Sequence, residues 1–304
     1  MTALIRRGNR LASIDRRLGY LMLAPAVSWL VVMILGPIIY SLVLSTYEWG
    51  ITEINREKPF VGLDNYGTLL DDPVVWTAMV NTVIFVVASV SIELVLGYLI
   101  AAALFEINRG RRLANAIILL PMIVAPIITA LLWRYLLDPQ FGLFSQTLRV
   151  FGLTERGVDW FGDASRAMAG LVLVDVWQWT PFVVLIFHAG MLSISREYFE
   201  AASVDGASRW QITRAIVLPA LQPLILLVLL FRTIDTYRIF DTVFVLTKGG
   251  PGLATETIGL YTYRTGLSYF DMGYAMALSS FVLATVAVVG FVYIRALRRR
   301  GVMQ

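Results

Sequence analysis

The chain has 304 residues, of which 58% are hydrophobic and only 15% charged, against roughly 25% charged in an ordinary soluble domain. With a mean hydropathy of +0.73, that balance excludes a conventional soluble enzyme and points to an integral membrane protein. The net charge of +4 comes mostly from arginines beside apolar runs, a pattern of orientation in a lipid bilayer rather than of nucleic-acid binding. The absence of cysteine excludes disulfides, thiolate chemistry and Cys-ligated metals.

Arg6, Arg7, Arg10, Arg16 and Arg17 precede the first apolar run, 18–46. This run is longer than a signal-peptide core of ~7–15 residues and lacks a small-residue cleavage site, so it reads as a retained first span. A span needs roughly 20 mainly apolar residues, and six stretches qualify: 19–46, 76–104, 113–136, 167–189, 217–245 and 273–295. The reading is an all-α polytopic membrane protein with 19–296 as its transmembrane domain, 1–18 as an N-terminal segment and 297–304 as a tail. Pro25, Pro37, Pro121, Pro126, Pro181 and Pro223 fall inside or at the ends of spans. They predict kinks whose freed carbonyls find partners on neighbouring helices.

Basic residues set the orientation. The N-terminus, the loop with Arg109, Arg111 and Arg112, the loop with Arg196, Arg209 and Arg214, and the tail with Arg295, Arg298, Arg299 and Arg300 carry fifteen. The opposite face carries seven: Arg56, Lys58, Arg149, Arg156, Arg166, Lys248 and Arg264. Both termini are therefore expected in the cytoplasm. Trp49, Trp76, Trp133, Trp160 and Tyr274 near the outer span ends read as interfacial anchors. The outer loops, 47–75, 137–166 and 246–272, are too short for separate domains.

One polar stretch stands apart between the fourth and fifth spans. In 190–219, Ser193 or Ser195 is placed to cap a helix through Glu200, Ala201 and Ala202. Asp205-Gly206 is a turn signal, and Ser208 with Gln211 three residues on forms a capping box for a second helix. A loose connector needs none of this order, whereas an amphipathic loop resting on headgroups would also use it. The spacing of Glu200, Ala201, Ala202, Asp205, Gly206, Ala207, Ser208, Trp210, Gln211, Ile216, Leu218 and Pro219 resembles the EAA motif of permease subunits of binding-protein-dependent ABC importers. The resemblance implies a coupling-helix loop that docks on a cytoplasmic ATPase, with Glu200, Ala201, Ala202, Asp205, Gly206, Ala207 and Trp210 at the contact.

"FVGLDNYGTLL" (60–70) and "FDTVFVLTKGGPGLATETIGLYTYRTGL" (240–267) resemble the outer segments of carbohydrate-type permeases of the maltose and glycerol-3-phosphate type. That resemblance implies the type I importer permease fold and a multi-pass place in the bacterial inner membrane. It also implies a second homologous permease, an ATPase dimer carrying ATP and magnesium, and an extracytoplasmic solute-binding protein that contacts Gly249, Gly250, Pro251 and Gly252.

The chain has no phosphate-binding G-x-x-x-x-G-K-[ST] loop, so no ATP cofactor is expected on it. His188 is its one histidine, which makes a His-based metal site or catalytic triad improbable. A transport subunit, not an enzyme, is the expectation.

Ionisable residues inside a bilayer are costly and point to function. Arg232, Asp235, Arg238 and Asp241 recur at i, i+3 on the fifth span, where opposite charges meet. Two readings stay open. The stripe is either structural pairing, or, with Thr233, Thr236 and Tyr237, a polar pathway that hydrogen-bonds sugar hydroxyls. Asp175, Trp177, Gln178 and Trp179 on the fourth span are further pathway candidates, and Glu93 is available to pair with an arginine. A self-sufficient secondary transporter or channel using these charges is the rival class, although no inverted repeats support it.

Overall fold

The computed structural model describes residues 2–50, 58–107, 109–152 and 157–299, with side chains from 20 onward except at 297 and 299. Arg56, Arg156 and Arg300, most of the tail 297–304 and the side chains of the segment 1–18 lie outside the described residues. Thirteen α-helices run in order among the described residues: α1 Thr2–Leu44, α2 Asp64–Asp71, α3 Pro73–Glu106, α4 Arg111–Ile123, α5 Pro126–Leu136, α6 Leu143–Val150, α7 Ala164–Leu192, α8 Arg196–Val204, α9 Arg209–Ile212, α10 Leu218–Tyr237, α11 Asp241–Leu246, α12 Ile258–Tyr263 and α13 Met272–Arg299. Single π-helical turns at Thr213–Val217 and Arg264–Ser268 extend α9 into α10 and follow α12.

Among the described residues, five helical segments are long and apolar enough to cross a membrane: Tyr20–Leu44, Pro73–Glu106, Ala164–Leu192, Arg209–Tyr237 and Met272–Ala296. The expected third span, 113–136, is instead two helices, α4 and α5, bent by 96°. The break follows from Pro126, which offers no N–H and drives Ala125 out of the helical region, to φ −60 and ψ 139. Gln178 on α7 donates its side-chain amide to the freed carbonyl of Val124 at 2.9 Å, the compensation a broken helix needs in a bilayer. The fifth span also ends early. α10 stops at Tyr237, Arg238 closes its last turn, and 241–246 form the separate α11.

The chain divides into two compact units, Met1–Leu69 with Thr265–Phe281 and Leu70–Arg264 with Val282–Gln304. In the first, the span in α1 is exposed on nearly every side, with Leu44 its one buried apolar side chain, as expected where lipid is the solvent. Trp49 accepts backbone bonds from Met272 and Gly273 at 2.8 and 3.0 Å. Gly273 sits so close to the Tyr47 carbonyl that a Cβ would collide with it.

In the second unit, α3 and α7 pack most extensively. A Cβ at Gly97 would lie 2.7 Å from Val183 Cβ, so only glycine admits this approach. Two apolar clusters fill the unit. One, near the α8–α9 hairpin, joins Ala101, Leu104, Val183, Phe187 and Leu221 with Phe199 and Ile212. The other, at the opposite end, joins Phe85, Ala130, Leu171, Val243 and Leu260. Helix starts are capped by side chains at Asp72 and Asp163. The anchor reading holds unevenly: Trp76 is exposed, whereas Tyr274 is buried and Trp133 stacks edge-on against Trp177 at 5.6 Å.

Candidate functional site

The polar hairpin is ordered by its own sequence. α8 ends in a Schellman motif: Ala207 N–H reaches Ala202 C=O at 2.9 Å and Gly206 N–H reaches Ser203 C=O at 3.2 Å. Gly206 supplies the left-handed residue, φ +70. The Ser208–Gln211 capping box then starts α9, with bonds of 3.4 and 2.7 Å. Neither serine expected at the start of α8 caps it. Ser195 makes no side-chain cap bond, and Ser193 Oγ donates to Gly190 C=O at 2.7 Å, closing α7.

The hairpin turns its crest away from the rest of its unit. Glu200, Ala201, Asp205 and Gly206 are exposed, and Ala202 and Ala207 are half-buried. Val204 is 88% exposed, Trp210 67% and Tyr198 63%. Bare apolar side chains of that size on a polar loop are the kind of surface that a protein partner or a membrane interface covers. Tyr198 and Val204 were missed by the sequence reading because neither belongs to the spaced motif. The hairpin's inner side is tied to α3 through Phe105 and Phe199, 5.4 Å apart, and through Tyr98 Oη and Thr213 Oγ1 at 3.0 Å. The Arg209–Glu106 ion pair at 3.0 Å adds a further link.

At mid-span, Arg232 on α10 is buried among three carboxylates. Its Nε and Nη2 donate to the two Glu93 oxygens at 2.6 Å each. Nη2 also donates to Asp175 and Nη1 to Asp235, both at 2.9 Å. The Trp179 ring lies 5.0 Å from the guanidinium. Of the two readings left open for Arg232, this geometry favours structural pairing, its charge engaged inside the subunit where it joins α3, α7 and α10.

Beside this cluster opens a cleft of about 260 Å³ lined by Pro126, Asp175, Trp179, Asp235, Thr236, Arg238, Phe240 and Asp241, among others. It collects five of the eight pathway candidates: Trp179, Asp235, Thr236, Arg238 and Asp241. Arg238 and Asp241 arrive there because α10 ends before them, not because they continue its stripe. Arg238 is exposed and meets Asp235 only at 3.6 Å. Tyr237 points elsewhere, its hydroxyl 2.9 Å from Thr285 Oγ1, and Trp177 packs on Trp133. Both lie outside the cleft.

At the opposite end from the hairpin, the G-G-P-G segment is a tight loop. Lys248 and Gly249 both adopt positive φ, +51 and +83, and Gly252 does so at +60. Gly249 is buried, Gly250 and Pro251 are half-buried and Gly252 is exposed. Glu256 is fully buried beneath, paired with Arg264 at 3.0 Å. Burial pushes the Glu256 carboxyl above its ordinary range, and Arg264 pulls it part of the way back. Among the described residues no cluster of three or more metal-ligating side chains occurs.

The model of the binding-protein-dependent transport system inner membrane component matches residues 93–300. The trehalose/maltose transport system permease protein MalF of Thermococcus litoralis is 37% identical over 286 residues, 94% of this chain and 96% of its own. The trehalose transport system permease protein SugA of Mycobacterium tuberculosis is 32% identical over 292 residues, 95% of this chain and 91% of its own. In structure the chain is similar to one in a bacterial ABC transporter involved in the import of the acidic polysaccharide alginate. The TM-score is 0.81 and the identity 25%, covering 95% of this chain and 99% of that one.

Proposed function

The chain belongs to the binding-protein-dependent transport system inner membrane component family, and from that premise we propose that it forms half of the membrane pathway of an ATP-driven sugar importer. Its all-helical, multi-pass architecture is the type I ABC importer permease fold. The other half of the pathway would be a second, homologous permease. A cytoplasmic ATPase dimer would bind ATP and magnesium, and a solute-binding protein would deliver the sugar at the outer face. Both termini and the 196–219 hairpin are assigned to the cytoplasm of a bacterial cell, in its inner membrane.

The observation that carries this reading is the hairpin. It is stiffened where α8 ends and α9 begins and leaves Val204 and Trp210 bare. A rigid knob with an uncovered apolar crest is suited to transmit force to a partner, which a loose connector could not do. ATP-driven closure of the ATPase dimer would move the hairpin. Through Phe199, Thr213 and Arg209 it would then move α3 as well as α7 and α10, switching access from one side to the other by rigid-body motion.

The cleft beside Trp179 is the proposed sugar contact, pairing an aromatic face with carboxylate and guanidinium hydrogen-bonding groups. The names of its relatives support a sugar or sugar-like solute. The rival, a self-sufficient secondary transporter coupling through Asp235, Arg238 or Glu93, is disfavoured by the family match, and Glu93 is in any case held by Arg232. Purification in mild detergent tests the assignment. A second permease and an ATPase should co-purify, with ATP hydrolysis stimulated by trehalose- or maltose-loaded binding protein. A lone chain that transports without nucleotide would contradict it.

A further inference from the structure

The loop 247–256 is built as a crest on a buried keystone. Lys248, Gly252 and Leu253 are exposed at its top, while Gly249 and Thr255–Ile258 are buried below. Lys248 holds a left-handed backbone, φ +51, which a lysine seldom adopts without external support. That support comes from Arg264, whose Nη2 donates to the Lys248 carbonyl at 2.7 Å while Nη1 pairs with Glu256 at 3.0 Å. A Cβ at Gly249 would collide with the same Glu256 carboxylate.

Two further ties close the loop. Thr255 Oγ1 donates to Gly250 C=O at 2.7 Å. Asn81 on α3 donates to Leu253 and Glu256 carbonyls at 2.7 and 3.1 Å. The guanidinium thus does two jobs a lysine ammonium does less well at once, because its fork presents donors in two fixed directions.

We propose that Glu256 and Arg264 are positioning residues that preform a docking crest, 248–253, for a partner surface offering a carboxylate to Lys248 beside an apolar patch for Leu253. The inference rests on the importer reading above, which makes that partner the solute-binding protein. Neither Glu256 nor Arg264 touches the partner; they act by fixing the shape of the loop.

The test is ATP hydrolysis by the complete transporter in nanodiscs, titrated with its solute-binding protein in the presence of trehalose or maltose. Lys248→Gln removes only the crest charge and should raise the KM for binding protein and weaken its salt dependence. Arg264→Gln should raise that KM about tenfold or more while kcat at saturation stays within about twofold, with Arg264→Lys intermediate. Because Arg264→Gln strands a buried carboxylate, the Arg264→Gln/Glu256→Gln double variant is measured alongside. It removes that strain yet still lacks the hold on Lys248, so its KM should remain high.

If Lys248→Gln raises KM but the double variant does not, the keystone inference falls and the docking reading stands. A loss of kcat at unchanged KM overturns the positioning role in favour of a merely structural one. If neither variant moves KM, or the wild type is not stimulated at all, the docking reading fails and this inference fails with it.

Discussion

Glu93 and Arg232, 139 residues apart in sequence, meet as a buried fork-to-fork pair with two bonds of 2.6 Å. Such bidentate pairing combines the strongest hydrogen-bond type with fixed geometry. Here it is the point at which three spans are joined, because Asp175 on α7 reaches the same guanidinium. A buried ion pair adds little net stability over a well-packed apolar core, yet breaking one side of it is expensive.

Arg232→Met would leave three carboxylates facing one another and should cost about 3–5 kcal/mol. The loss would be read as a lowered midpoint of unfolding in detergent. Asp235→Asn, on the half-exposed arm of the cluster, should cost less than about 1 kcal/mol. Equal stability of Arg232→Met and the parent would remove the cluster from any account of how the spans hold together.

For the cleft, Trp179→Ala and Asp241→Asn should each lower uptake of the transported sugar about tenfold, the usual weight of a central contact. Tyr237→Phe should leave uptake nearly unchanged, since that hydroxyl bonds Thr285 and not the cleft. Radiolabelled trehalose or maltose in proteoliposomes provides the readout. A large effect at Tyr237 with none at Trp179 would move the pathway away from this cleft.

Asp163 caps the first turn of α7, accepting bonds from Ser165 Oγ at 2.7 Å and Ser165 N–H at 2.9 Å. Those bonds, hydroxyl first, with Arg166 nearby, hold its carboxyl below the usual Asp range. A depressed folded pKa means that the cap stabilises above the ordinary value of about 3.9. That contribution is lost as pH falls through the lower folded value. The hydrogen-exchange protection of Ser165–Ala167, taken relative to the intrinsic rate at each pH, should therefore fall below about pH 4. Asp163→Asn, still a cap but without a charge, should abolish the pH dependence and leave the start of the helix intact.

Gly206 stands at φ +70 with open space around the position of a Cβ, so the cost of a side chain there is conformational and not steric crowding. Gly206→Val should cost about 1–2 kcal/mol locally and reorient the hairpin, lowering uptake while the chain still inserts and assembles. Normal uptake by this variant would show that the turn's shape is irrelevant to coupling.

Much of this was legible in the sequence because the signals are local. Apolar runs of bilayer length placed the spans, and Asp205-Gly206 with Ser208 and Gln211 placed the hairpin. Glu93 was even marked as a partner for an arginine. The failures are long-range in origin. The 96° bend at Ala125–Pro126 depends on Gln178 arriving from another helix, so hydropathy alone does not reveal that the third stretch is broken. Both readings of Arg232 stay open in the sequence because i, i+3 spacing reveals Asp235 but not the two acids supplied by other spans. Tyr237 was assigned by its place on the stripe, and only the packing against α13 shows where its hydroxyl goes. Glu256 and Arg264 carry no motif at all; their pairing exists only once the outer loop has closed.

The most direct test of the central claim is the ratio of sugar taken up to ATP hydrolysed by the reconstituted complex, measured for the wild type and for Glu200→Arg. Both residue 200 and its neighbours on the crest are exposed, so the substitution should leave folding, insertion and assembly intact. If the hairpin carries the motor's work into the spans, the ratio should fall about tenfold or more in Glu200→Arg, as expected when a charge at a protein contact is reversed. A ratio equal to that of the wild type, in a variant that assembles normally, would contradict the account.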